Sequence, residues 1–168
     1  MKRSSTFFLL CAIAVGFTFP ALGQEILPEV TVKAVKYKYL NAVDQKDVAQ
    51  PVKLLERRAA EYDVKSSEFY EEDYDTYFVS FYLPEGQVLA AYDKDGKLLH
   101  TAEKYKDVAL PVAVRDAVAK RFPQWSITKD VYLVNYFEES GASKTYKITL
   151  QNGDKRLKVK TNEKGEFL

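Results

Sequence analysis

The amino-acid sequence predicts an α+β fold of two tandem units, each a helix followed by antiparallel strands, with the helices packed on one face of the sheet. Three observations predict it. The chain repeats itself internally, two stretches opened by proline have helical spacing of apolar residues, and the stretches after them alternate as half-buried strands do. Asp47-Val48-Ala49-Gln50-Pro51-Val52 returns sixty positions on as Asp107-Val108-Ala109-Leu110-Pro111-Val112. Asp63-Val64 through Glu68-Phe69-Tyr70-Glu71-Glu72 returns 67 positions on as Asp130-Val131 through Asn135-Tyr136-Phe137-Glu138-Glu139, and Leu83-Pro84-Glu85-Gly86 returns at the same offset as Leu150-Gln151-Asn152-Gly153. Asp93-Lys94-Asp95-Gly96-Lys97-Leu98-Leu99 is echoed 69 positions on by Asn162-Glu163-Lys164-Gly165-Glu166-Phe167-Leu168.

The first 23 residues have the parts of a secretory signal: Lys2 and Arg3, an apolar run over residues 7–19, and small Ala21 and Gly23. Cleavage before Gln24 is expected, giving a periplasmic or secreted protein. The apolar run is shorter than the roughly 20 residues a membrane span needs. Cys11, the only cysteine, lies inside it, so the exported chain would hold itself together by its core without disulfides. Leu10 before Cys11 argues against a lipid attachment there.

Net charge is +1, and loss of Lys2 and Arg3 takes it to about −1. That balance gives no general attraction to nucleic acid. A hydrophobic fraction of 46% with 14% aromatic residues points to a packed, aromatic-rich domain.

Residues 24–46 form a lead-in. Its stretch 30–40, rich in Val, Lys and Tyr, reads as a strand. Unit one, residues 47–106, opens with a helix in which Pro51 occupies the first turn. Val52, Leu55, Ala59 and Tyr62 line one face, and Lys53, Glu56, Arg57 and Glu61 mark the wet side. Residues 76–83 alternate, with Tyr77, Val79, Phe81 and Leu83 inward and Phe78, Ser80 and Tyr82 outward. Pro84-Glu85-Gly86 turns the chain into a hairpin partner over 88–92, and Asp93-Lys94-Asp95-Gly96 turns it again into 97–104.

Unit two, residues 107–168, repeats the plan. Pro111 opens its helix, Val114, Val118 and Phe122 follow at intervals of four, and Pro123 stops it. Seven extra residues around Trp125-Ser126-Ile127-Thr128 precede a strand over 144–150, with Tyr146, Ile148 and Leu150 inward and Thr145, Lys147 and Thr149 outward. Asn152-Gly153 leads into 156–160, where Arg156, Lys158 and Lys160 form a basic stripe of the kind that guards an edge strand. Each unit thus supplies three or four strands.

The motif residues Leu110, Pro111, Val114, Phe122, Pro123, Trp125, Tyr146 to Asp154 and Gly165 resemble those of the PepSY-like, beta-lactamase-inhibitor-protein-like exported proteins of Bacteroidota. The resemblance runs from about Asp47 to Leu168. It implies the tandem α+β architecture, and a binding or inhibitory role by analogy with the family name.

Chemistry that needs several special residues is poorly supplied. One histidine, His100, and no cysteine beyond Cys11 give no two-histidine site and no Cys–His pair. No nucleophile-elbow pattern accompanies His100, which reads as a bystander. Nicotinate-nucleotide adenylyltransfer needs a Rossmann-like fold with paired histidines, and the sequence offers neither. Residues 93–96 resemble part of a calcium loop, but the positions that should be acidic, 91 and 102, are alanines, so the segment reads as a hairpin turn. No catalytic residue, metal site or cofactor is assigned, and the chain is read as a non-enzyme.

The candidate binding surface is Phe69, Tyr70, Glu71, Glu72, Asp73, Phe78 and Tyr82. Residues 68–75 pack five acids and three aromatics, and Phe78 and Tyr82 stand where unit two has Thr145 and Thr149. Exposed aromatics flanked by charge are a common composition for recognition. The reading leaves open that Phe78 and Tyr82 are covered by the 30–40 segment or by the other unit. The expected partner is a protein or peptide of the cell envelope, such as a peptidase to be inhibited; the alternative is a small ligand or cation held by the acidic stretch.

Overall fold

A computed structural model describes residues 36–45 and 47–168, which form three helices and one six-stranded antiparallel sheet. In chain order these are α1 (Tyr37–Val43), α2 (Gln50–Glu61), β1 (Thr76–Leu83), β2 (Gly86–Asp93), β3 (Leu98–Lys106), α3 (Val112–Arg121), β4 (Ser126–Phe137), β5 (Gly141–Asn152) and β6 (Lys155–Thr161). The strands lie in sequence order, so β1 and β6 are the edges.

α2 forms as its spacing dictates. Pro51 sits in the first turn, where a missing N–H costs nothing, and Val52, Leu55, Ala59 and Ala60 are buried against β1 and β2. The Tyr92 hydroxyl donates to the Ala59 carbonyl at 2.7 Å, fixing the helix on the sheet. α1 packs against α2 and over β4 and β5. Val114 and Val118 of α3 enter the same core, and Phe122 meets Phe167 edge-on at 5.9 Å.

The largest side chains of the core are tyrosines. Tyr105, Tyr132 and Tyr146 are direct cross-strand neighbours on β3, β4 and β5, and the last two rings stack at 4.3 Å. Such aromatic rows supply large buried area and favourable ring packing.

The turns after β2 and β6 are built alike. Asp93 Oδ1 accepts from the backbone N–H groups of Asp95 and Lys97, and Asn162 Oδ1 accepts from those of Lys164 and Glu166. Gly96 and Gly165 close them at φ 80° and 81°. The Asp93 carboxylate is therefore used as a turn former. Past the second turn, Phe167 bridges to Thr161.

Three expectations need correction. Within the 30–40 segment, residues 30–35 lie outside the described residues, and 37–40 belong to helix α1 instead of a strand. Tyr39 and Val43, four apart, turn to the core, and that helical interval overrides the local alternation of Lys and Tyr. Glu56 is not on the wet side of α2: it is 4% exposed, because it follows Val52 by four positions and precedes Ala60 by four on the buried stripe. Finally, the repeated block over 63–72 and 130–139 has two conformations. The first lies in a run of turns held by Asp63, Ser66 and Ser67, while the second falls mostly within β4.

No helix of the described residues is long and apolar enough to cross a membrane.

Candidate functional site

Alternation along the strands sends one set of side chains under the helices and the other to the opposite face of the sheet. Among the described residues no helix lies on that opposite face, and its residues fall in cross-strand rows. Phe78, Ala91, His100 and Phe137 are paired neighbours across β1 to β4, with the His100 and Phe137 rings stacked at 5.2 Å. The next row is Ser80, Leu89, Ala102 and Asn135, and the next Tyr82, Gln87, Lys104 and Leu133. Strands about 4.8 Å apart make this patch roughly 14 Å wide.

Phe78 and Tyr82 are 67% and 64% exposed, so the described helices and the other unit leave them uncovered. Leu89 and Phe137 are exposed beside them. An apolar cluster held on rigid strands and left in water is the kind of surface a partner can desolvate at little entropic cost.

The remaining candidate residues lie in the loop 63–75 along edge strand β1, and they divide. Phe69 is 71% exposed and shares with Phe78, Val79 and Tyr62 the wall of a cleft of about 280 Å³. Tyr70 turns the other way and stacks on Tyr77 at 5.5 Å, so it braces the loop. The Tyr77 hydroxyl donates to the Glu71 carbonyl, which fixes the loop's path. The side chains of Glu71, Glu72 and Asp73 are exposed and form no ion pair among the described residues. The structure thus brings Phe69, Phe78 and the acids to one edge, keeps Tyr82 on the open face, and leaves Tyr70 half-buried against Tyr77.

On the far side of the same face the charge reverses. Lys147 pairs directly with Lys160, and Thr149 lies between Lys129 and Lys158. With Arg156 these place a basic surface on and beside edge strand β6, in keeping with the guard reading of its lysines.

A second constellation lies under the helices. Glu103 is 3% exposed and accepts hydrogen bonds from Tyr39 at 2.8 Å, Thr101 at 2.7 Å and Tyr105 at 2.7 Å. Burial raises its proton affinity, against the pull of those three donors. Glu56 is pushed up to about 9, first by burial and then by the nearby Glu103. Its Oε1 finds no hydrogen-bond partner among the described residues. Groups buried in this way are exceptional and point to a special environment.

Sequence reasoning missed this pair, although the interval Val52, Glu56, Ala60 carried the signal. It also missed Leu89 and Phe137, whose outward register follows once Tyr132 and Tyr136 are set inward.

Comparison of the chain with protein-family models, with curated proteins and with solved structures finds no match in any of the three.

Proposed function

We propose that this chain is an exported, non-enzymatic recognition domain that binds a protein or peptide of the cell envelope, for instance to inhibit a peptidase, at the β1 end of its open sheet face. The single observation that carries the reading is the exposure of Phe78 and Tyr82 on a strand whose opposite side is packed into the core. Large aromatics there contribute nothing to the helix-covered core, and aromatic anchors are the residues most often central to binding. Edge strand β1 adds backbone groups open to a further strand, and its sequence has none of the lysines or prolines that usually guard an edge.

The reading includes a duplicated architecture of PepSY-like type. In its support, β1 and β5 correspond at an offset of 67 residues, β2 and β6 follow at the same offset, and the turns at Asp93 and Asn162 share one hydrogen-bond pattern. Residues 1–23 as a cleaved signal would place the domain in the periplasm or outside the cell.

The test is affinity capture from envelope extract with the wild-type protein and with the Phe78→Ala, Tyr82→Ala double variant, read by mass spectrometry. A partner held by the first and lost by the second supports the assignment. A partner held equally by both, with the variant folded, overturns it.

A further inference from the structure

The open face of the sheet changes chemistry between its two ends. Lys106 on β3, Lys147 on β5 and Lys160 on β6 fall in one cross-strand row with Val131 of β4. The next row sets Lys129 of β4 and Lys158 of β6 on either side of Thr149, and Arg156 follows on β6 opposite Gln151. All six cations are exposed, and none is in an ion pair among the described residues. The outward positions between them hold Val131, Thr149 and Gln151, so no carboxylate divides the field. Four of the lysines also share the wall of a depression of about 290 Å³. Asp130 reaches that wall too, but its carboxylate is turned away to accept from the Val108 N–H at 3.3 Å.

Guarding an edge accounts for the lysines of β6 alone, because Lys106, Lys129 and Lys147 stand on interior strands. Overall charge does not account for the field either, since the whole chain carries only +1. Lys147 and Lys160 are directly opposed, and like charges in that relation repel at a cost to the fold. An anionic partner relieves that repulsion and gains attraction from every cation at once.

Composition selects the kind of partner. Interfaces with proteins are poor in lysine and rich in aromatic residues and arginine. Nucleic acids are held on stacking aromatics and read by arginine forks. The six cationic positions hold five lysines and one arginine, with no aromatic ring among them. Lysine acts as a hydrated point charge, so lysines spread over four strands fit a plane of negative charge better than a single acidic group. The surface of an anionic bilayer is such a plane, and each cation near it adds to the attraction.

We propose that the β3–β6 end of the open face docks this protein peripherally on an anionic lipid bilayer, with its lysines and Arg156 against the phosphate headgroups. A sheet turns by roughly 20–25° per strand, so the five steps from β1 to β6 turn its face through roughly 100°. The aromatic end at β1 therefore faces another way and stays open to a partner, and the bilayer assignment does not rest on that partner.

Co-sedimentation with vesicles tests the docking, using phosphatidylcholine alone and phosphatidylcholine with about one third phosphatidylglycerol. The wild-type protein should prefer the anionic vesicles, and binding should weaken as salt is raised. The apolar run over residues 7–19, where retained, is common to all variants and to both vesicles, so it cancels in these ratios. Lys147→Glu with Lys160→Glu should lower the affinity for anionic vesicles by about thirtyfold or more. Lys147→Gln with Lys160→Gln removes only a repulsion from the fold, so it stays testable if the reversal disturbs folding, and its loss should be smaller. Arg57→Glu with Arg115→Glu makes the same change of charge at exposed positions on α2 and α3, and should keep most of the wild-type affinity. No preference for anionic vesicles, undiminished binding by the folded Lys147→Gln, Lys160→Gln protein, or an equal loss in the Arg57→Glu, Arg115→Glu protein would each overturn the proposal. Retention on dextran sulfate without binding to anionic vesicles would overturn the lipid assignment in favour of a soluble polyanion.

Discussion

The Tyr39 hydroxyl donates to Glu103 Oε1 at 2.8 Å, tying helix α1 to strand β3 across 64 positions of sequence. Both residues are buried, and the Tyr39 ring also meets Tyr136 edge-on at 5.1 Å. α1 has only seven residues, too few to be stable alone, so its helical state depends on such tertiary anchors. Tyr39→Phe keeps the ring and removes the donor. It should cost about 1–3 kcal/mol in urea unfolding, the usual cost of depriving a buried acceptor. Tyr39→Ala should cost more, because it also opens a cavity.

Stability should fall as pH rises from about 4.5 to about 9, and Glu56 contributes to the fall. Its proton affinity is raised from 4.5 to about 9 by burial and by Glu103, with Asp44 adding to the rise and Lys144 and Lys53 opposing it. Between those values the folded protein holds a proton that the unfolded chain has lost. The native state thus binds more protons, and the free energy of unfolding must decrease with pH in that window. The neighbouring Tyr39 and Tyr132 are themselves pushed above the ordinary tyrosine range by burial, so they stay neutral throughout. Glu56→Gln should flatten the slope, making the variant relatively more stable near pH 8 than near pH 4. Denaturant midpoints of both proteins across pH 4–9 would measure this; equal slopes would show that Glu56 ionises freely.

How much of this was legible in the sequence depends on whether local pattern or tertiary position decided the outcome. The alternation Tyr77, Val79, Phe81, Leu83 was enough to set β1 at Thr76–Leu83, since period two has one structural solution there. Pro51 and Pro111 likewise marked the helix starts. Glu56 was misplaced because its charge outweighed its interval from Val52 on the buried stripe. The 37–40 segment alternates like a strand, and only packing over β4 and β5 makes it helical. For the candidate surface, strand register placed Phe78 and Tyr82 correctly. The inward turn of Tyr70 arises from its stacking on Tyr77, a contact made by loop conformation that no periodicity encodes.

The two related turns should respond differently to the same substitution. Gly96 and Gly165 both adopt positive φ, so alanine strains either backbone by about 1 kcal/mol. A Cβ on Gly96 would meet nothing within 4 Å. On Gly165 it would lie 2.5 Å from the Ala113 carbonyl oxygen and 2.9 Å from the Ala117 Cβ, both on α3. Gly165→Ala should therefore cost roughly 1–3 kcal/mol beyond Gly96→Ala, since overpacking must push α3 away. Thermal unfolding of the two variants reads the difference directly, and equal losses would show that α3 is free to shift.

Opposite sides of β1 should separate stability from surface behaviour. Phe78 and Tyr82 face water, so replacing both by alanine should change unfolding free energy by only about 0.5 kcal/mol per site. Tyr77 is 8% exposed, stacks on Tyr70 and donates to the Glu71 carbonyl, so Tyr77→Ala should cost about 3 kcal/mol or more and loosen the 63–75 loop. Retention on a hydrophobic-interaction column should move the other way: the Phe78→Ala, Tyr82→Ala protein should elute early, because removing the two rings shrinks the exposed apolar patch. Folded Tyr77→Ala protein should elute no earlier than wild type. If the double variant instead unfolds at markedly lower denaturant, the two rings are part of the packed structure and the open face is smaller than its register implies.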